Sequence, residues 1–357
     1  MTAVELAARI THLGQAGAEP AAVRCLPLMW EAVEVHDHGG AGRGELSGVE
    51  NEFRTGGVDP VSDSAIDPAM DVPAPDQPDT SAATNPEAEA EFLDGEASST
   101  SPRPTPRVIA IANQKGGVGK TTTAINLGAA LAELGFRTLV VDLDPQGNAT
   151  TGLGINPTSL DGTTYEVLID GLGLEDCVEP TEVRNLFLAP ASRDLAGAEV
   201  ELVPMMSRET RLKRAVDAVL DDYDYILVDC PPSLGLLTLN GLAAVSEVIV
   251  PVQCEYFALE GVALLSNNIE LVRTNLNPSL EITGVLLVMY DSRTKLADQV
   301  AAEIQGHFGS KVFRNKIPRN VRLSEAPSHG QPITVFDSSS RGAVAYRELA
   351  REVAGVS

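Results

Sequence analysis

Two lysines, three glycines and two threonines are packed into one short run, Lys115-Gly116-Gly117-Val118-Gly119-Lys120-Thr121-Thr122, which Asn113 and Gln114 lead into. Glycines let backbone N–H groups come close to phosphate oxygens, and the N-terminus of a following helix adds positive potential. In that setting Lys120 reaches the terminal phosphates of a nucleotide and the Thr121 hydroxyl ligates magnesium. The general phosphate-loop pattern, G-x-x-x-x-G-K-[ST], is not fully met, because Gln114 stands where its first glycine would be. Its Gly119-Lys120-Thr121 ending is intact. A glycine-rich turn can also be purely structural, so the flanking elements matter.

Those elements agree with the chemistry. VIAIA, before the loop, reads as a short buried strand, and TTTAINLGAALAELG, after it, as an amphipathic helix ending at Gly135. RTLVVDLD continues as another buried strand, followed by LFLAP (186–190), YILVDC (225–230), EVIVPV (247–252) and ITGVLLVMY (282–290), with helical stretches such as TRLKRAVDAVL between them. Alternating apolar strands and helices predict an α/β fold, a doubly wound and mainly parallel sheet flanked by helices. Asp142, Asp144 and Asp229 fall at strand ends. One such Asp is usually a cap or turn residue, but three behind a phosphate loop favour a metal-and-water site.

The 357 residues carry 50 acids against 26 Lys and Arg, a net charge of −24 that ordinarily argues against a nucleic-acid partner. Much of the excess is local, since residues 1–106 hold 19 acids and 5 bases. Residues 39–106 are rich in Gly, Pro, Ser, Asp and Glu and read as a disordered acidic linker. Before it, the helical spacing of Val4, Ala7, Ile10 and Leu13 leaves two readings of residues 1–38, a short helical docking segment or a poorly ordered extension. His36-Asp37-His38 lacks the fixed geometry of a metal site. The four cysteines, Cys25, Cys177, Cys230 and Cys254, are scattered without disulfide or zinc spacing, which fits a reducing cytosol. The start lacks the layout of a signal peptide, and no run of about 18 apolar residues appears.

The KGGVGKTT string resembles the deviant Walker A motif of the ParA/MinD family, and the resemblance runs over about residues 107–353. IANQKGGVGKTTTAINLGAALA, VDLDPQGNATTGLG, YILVDCPPSLG and IPRNVRLSEAPSHGQPI all look like the chromosomal ParA/Soj branch, so 107–357 is expected to be a P-loop ATPase domain. The resemblance implies that ATP and Mg²⁺ are the cofactors. Lys115 would be the signature lysine that contacts phosphates across an ATP sandwich dimer, and Gly116, Gly117, Gly119, Lys120, Thr121 and Thr122 would cradle the nucleotide. Asp144 would position the attacking water, Asp142 would lie near the magnesium shell, and Asp229 would be the Walker B carboxylate holding magnesium through water. Pro318 and Asn320 match positions that hold the adenine base.

Arg293 and Arg322 match DNA-contacting arginines of the chromosomal relatives, in a stretch from 293 to 322 that also contains Lys295, Lys311, Arg314, Lys316 and Arg319. Such a cluster suits sequence-independent phosphate contacts. By the same resemblance the partners are a ParB-type centromere-binding protein, non-specific DNA and a second copy of the chain; the acidic charge of residues 1–106 suits either competition for a basic segment of that partner or docking of a separate polar scaffold. The expected location is cytoplasmic and nucleoid-associated. A membrane-working relative would need a basic amphipathic tail with bulky apolar residues, and RGAVAYRELAREVAGVS has small ones with balanced charge. An iron-sulfur relative would place Cys177 or Cys230 in glycine-rich or CxxC contexts, which are absent, so buried or interface thiols are expected. A ligase or kinase on the same fold would need a substrate pocket that the sequence does not mark.

Overall fold

The computed structural model describes residues 105–356 apart from Thr158, Ser159 and Phe257. The docking segment read at 1–38 and the linker read at 39–106 lie outside the described residues, except for the last two positions of the linker.

Seven strands form one sheet: β1 (Arg107–Ile111), β2 (Thr138–Asp142), β3 (Glu179–Pro180), β4 (Leu186–Ala189), β5 (Tyr225–Asp229), β6 (Glu247–Gln253) and β7 (Glu281–Val288). Their order is β3-β4-β2-β5-β1-β6-β7, and every neighbouring pair is parallel except β3 with β4. The central strands are unbroken apolar runs because both of their faces are covered. Along β1, Val108 and Ala110 enter the apolar layer on one side while Ile109 and Ile111 enter the layer on the other. The spacing of apolar residues extends the last strand to Tyr290. In the fold it ends at Val288, because Met289 turns the chain with φ of 50°.

The connecting helices are α1 (Lys120–Glu133), α2 (Asn148–Gly152), α3 (Thr164–Ile169), α4 (Leu174–Cys177), α5 (Leu195–Glu201), α6 (Arg211–Val219), α7 (Leu236–Ala244), α8 (Ala258–Asn275), α9 (Lys295–Phe308), α10 (Val321–Glu325), α11 (Ile333–Phe336) and α12 (Arg341–Ala354). Leu212, Leu237, Leu242 and Leu265, from α6 to α8, cover one face of the sheet, and Leu127, Leu131, Tyr346 and Leu349, from α1 and α12, cover the other. The apolar side of α12 is therefore taken up by the core. A buried contact of 3.3 Å between the Thr123 and Tyr346 hydroxyls joins it to α1, and Arg347 clasps Glu133 at the far end.

Parallel strands must finish at the same edge, and here they finish in step: Asp229 is level with Ile111 on one side and with Asp142 on the other. That edge, where the chain departs in opposite directions from neighbouring strands, is where ligands of open α/β sheets bind. The helix that receives the ligand is held by Asn126, which is buried in α1. Its amide nitrogen donates to Thr122 O at 2.7 Å and its oxygen accepts from Ile333 N at 2.7 Å. Asn126→Ala leaves a buried N–H of α11 without an acceptor and should cost about 1–3 kcal/mol. A urea midpoint unchanged from the parent would show that this tie contributes nothing.

Candidate active site

The loop from Ala112 to Gly119 wraps the end of β1. Asn113 sets its start: its side chain donates to Pro251 O at 2.7 Å, anchoring on β6, and accepts from Lys115 N at 3.0 Å. Gly117 and Gly119 adopt φ of 73° and 76°, the left-handed region that side chains with a Cβ resist, so the loop can turn its amides inward and pass directly into α1. Gly119 caps α1 without a side-chain acceptor, which leaves the first N–H groups of that helix for an anion.

The Lys120 side chain lies along the inside of this loop. It is buried, and its ammonium donates to Lys115 O at 3.4 Å. Burial pulls its pKa below the ordinary value, against the charges of Asp229 and Asp144. Lys115 behaves differently: its side chain is half-exposed and its ammonium is 2.7 Å from Glu255, in the segment after β6. Of the two loop lysines, one faces the strand ends and the other the protein surface.

Two carboxylates, Asp229 and Asp144, act on Lys120, and a third, Asp142, lies beside them. Asp229, at the end of β5, is fully buried, and neither of its oxygens has a hydrogen-bond partner. Burial first, and then the charge of Asp142, hold it well above the usual carboxylate range; the Thr121 hydroxyl opposes that shift from outside hydrogen-bonding geometry. Asp142, at the end of β2, is equally buried but fully engaged. Its Oδ2 accepts from Thr150 N at 2.8 Å and Thr150 Oγ1 at 2.7 Å, and its Oδ1 from Asp144 N at 3.2 Å. Burial is the main reason its pKa rises to about 6. The sequence places Asp142 and Asp144 at the end of one apolar strand. Instead β2 stops at Asp142 and Asp144 sits in the following turn, where its Oδ1 accepts from Gln146 N at 3.0 Å and its carbonyl from Gly147 N at 2.9 Å.

An uncompensated buried carboxylate is costly, and a divalent cation or its water would satisfy Asp229. Among the described residues no three His, Cys, Asp or Glu side chains gather closely enough to hold a metal alone. The orphaned Asp229 carboxylate beside the Thr121 hydroxyl is an oxygen donor set that fits magnesium, which keeps several waters and shares its shell with substrate phosphates. Thr121, Asp229 and Lys120 converge on one edge with the loop amides, so the geometry fits a magnesium-bound polyphosphate.

The remaining candidates lie on the next elements. Pro318 is bridged to Tyr290, and Arg319 N donates to Tyr290 O at 3.1 Å, which brings the turn after β7 beside the 317–320 segment. Asn320 is the N-cap of α10, its Oδ1 accepting from Arg322 N at 3.0 Å. Arg293, 85% exposed, pairs with Asp291 at 2.6 Å, and Arg322 pairs with Glu325 at 2.9 Å. Cys177, Cys230 and Cys254 are buried thiols, with the Cys177 pKa pushed up to about 12 by burial. Sequence reasoning did not find Thr150 or Glu255, and it saw Asn113 only as a lead-in to the loop.

A protein-family profile described as an AAA domain matches residues 106–282. The sporulation initiation inhibitor protein Soj of Bacillus subtilis is 58% identical over 248 residues, covering 70% of this chain and 98% of that protein. A chromosome-partitioning ATPase, Soj of Treponema pallidum, is 53% identical over 247 residues, covering 69% and 96%. Among solved structures, one described as cobyrinic acid a,c-diamide synthase from Mycobacterium smegmatis, with bound ADP and magnesium, is 42% identical. It covers 70% of this chain and 94% of its own, with a TM-score of 0.61.

The Asp142 shift has a measurable consequence in the nucleotide-free protein. A folded-state pKa near 6, above the ordinary 3.8, means that the folded form holds this proton more tightly than the unfolded chain does. The associated stability is complete below about pH 4 and is lost as pH rises through about 6. Relative to Asp142→Asn, the parent should lose roughly 1–3 kcal/mol between those limits. Parallel stability curves for the two proteins would contradict the burial argument.

Proposed function

Because the chain belongs to the ParA/Soj family of chromosome-partitioning ATPases, we propose that it dimerises around ATP, binds DNA without sequence preference in that state, and so partitions or positions a chromosome or plasmid. The observation that carries this reading is the pairing of an unsatisfied buried carboxylate, Asp229, with two loop lysines that point in different directions. Asp229 asks for a hydrated cation and Lys120 for the phosphates of the same subunit. Lys115, at the surface, is available to the nucleotide of a second copy.

Magnesium, when bound, would be held by Thr121 and, through water, by Asp229, and would neutralise charge on the terminal phosphates. Phosphoryl transfer then asks the chain mainly for positioning. Loop amides and Lys120 fix the phosphates, Lys115 adds charge from across the dimer, and Asp144 orients water in line with the bond that breaks. Asp142 supports this turn from the neighbouring strand end. Pro318 and Asn320 would border the adenine, with Asn320 also needed as a helix cap.

Arg293 and Arg322 would contact DNA phosphates. Both are exposed and both are matched to carboxylates, so DNA must displace Asp291 from Arg293 and both Glu325 and Asp337 from Arg322. Water and salt screen exposed pairs, so this displacement costs little, and two copies double the phosphate contacts. The burial of the apolar side of α12 supports DNA over a lipid surface as the partner, and no helix among the described residues is long and apolar enough to cross a membrane. A ParB-type protein would stimulate hydrolysis, residues 1–106 would dock a polar scaffold, and the protein would sit on the nucleoid in the cytoplasm.

Sedimentation without nucleotide, with ADP and with ATP tests the cycle. Lys120→Ala should lose nucleotide binding, Lys115→Ala should bind ATP yet stay monomeric, and Asp144→Ala should accumulate as an ATP dimer. Equal monomer populations for Asp144→Ala and Lys120→Ala in ATP would overturn the roles given to both residues.

The DNA surface is tested separately. Arg293→Glu or Arg322→Glu should abolish retention of non-specific DNA by the ATP dimer while dimerisation survives, and each lost contact should lower the salt slope by about one unit. Undiminished retention by either variant at moderate salt would mean that the surface lies elsewhere.

A further inference from the structure

We propose that Thr150 is a positioning residue for hydrolysis, acting through Asp142 on the turn that carries Asp144. The proposal rests on the reading of Asp144 as the water-orienting group.

Thr150 is fully buried in α2 and uses every side-chain polar function it has in one place. Its N–H and its hydroxyl both donate to Asp142 Oδ2, at 2.8 and 2.7 Å, and the same hydroxyl accepts from Ala191 N at 2.9 Å. The other oxygen of Asp142 accepts from Asp144 N at 3.2 Å. A continuous line of bonds thus runs from the segment after β4, through Thr150 and Asp142, to the Asp144 backbone. A second bond from the next helix, Thr164 Oγ1 to Asp142 O at 2.9 Å, fixes the backbone of Asp142 itself.

A hydroxyl is required for this arrangement because one atom must both donate to a carboxylate and accept from an amide. Valine has the same shape and can do neither. It would leave Ala191 N without an acceptor and Asp142 Oδ2 with one donor in place of two. Serine keeps both functions. No hydrogen bond of this line involves the phosphate loop, whose Lys120 feels, among the groups of the line, only the charge of Asp144, so the effect should fall mainly on the catalytic step and largely spare nucleotide binding. Displacement of a positioned group by about 1 Å can lower a rate on the order of 100-fold.

The test uses the full chain with Thr150→Val, Thr150→Ala and Thr150→Ser, and Asp144→Asn as the reference. Thr150→Val should lower kcat for ATP about 10- to 100-fold, with KM changed less than about twofold and ATP-dependent dimerisation retained, while Thr150→Ser stays close to the parent. In the nucleotide-free protein, amide hydrogen exchange at Ala191 and Asp144 should accelerate in Thr150→Val but not in Thr150→Ser. Thr150→Ala serves for both readouts if the valine variant does not fold. An unchanged kcat in Thr150→Val beside an inactive Asp144→Asn overturns the proposal alone. So does a serine variant as impaired as the valine one, or unchanged exchange at both amides. A parent-like rate in Asp144→Asn would instead sink the reading of Asp144, and the exchange data would still decide whether Thr150 holds the turn.

Discussion

Three carboxylates and one ammonium are buried together where β2 and β5 end beside the phosphate loop, and much of the surrounding architecture answers to that fact. Charges inside a protein are tolerated only when paired, hydrogen-bonded or neutralised. Each of these groups is dealt with differently. Asp142 is saturated by donors, Asp144 is held in a turn by backbone amides, and Lys120 lies among them. Asp229 alone is left with both oxygens unpartnered and responds by holding its proton more tightly. The protein's own groups therefore leave this cluster electrostatically incomplete, and its natural complement is a cation that brings phosphates with it.

The scaffold makes such a concentration of charge possible by keeping its backbone in register. Asp142 and Asp229 are level because their strands are hydrogen-bonded neighbours, and Asn113 fastens the loop to β6 so that it cannot drift from the sheet edge. Outside this rigid centre the chemistry becomes adjustable. Lys115, Arg293 and Arg322 all sit in exposed ion pairs with Glu255, Asp291 and Glu325, contacts that water and salt weaken and that another anion can replace. The charges inside are thus fixed by the fold, while the pairs outside can be exchanged.

Much of this is legible in the sequence. Buried parallel strands are continuous apolar runs, so β1, β2, β5 and β6 stand out, and the strand-loop-helix order around Gly119 is enough to put Lys120 at the head of a helix facing the sheet edge. β3 is invisible because two residues, Glu179 and Pro180, carry no periodicity; only pairing with β4 defines them. Asn113, Thr150 and Glu255 escape notice as site residues for a related reason. Their roles depend on partners 138, 8 and 140 positions away, on Pro251, Asp142 and Lys115. Spacing along the chain reports a helix face or a strand face, whereas these contacts exist only after the sheet has assembled. The same applies to the ends of elements, where Asp144 leaves the strand that its apolar neighbours suggest.

The order of the strands also bears on how the chain is made. β1 is central, yet it pairs with β5 and β6, which follow it by more than a hundred residues. While the polypeptide emerges from the ribosome, VIAIA and the phosphate loop must wait unpaired, with an apolar strand exposed, until the second half of the sheet has been translated. Such long sequence separations slow folding and lengthen the time in which chaperones or other nascent chains can engage that strand. Nucleotide binding thus becomes possible only late in synthesis, because Asp229 and the β6 carbonyl that anchors Asn113 are both made after the loop they complete.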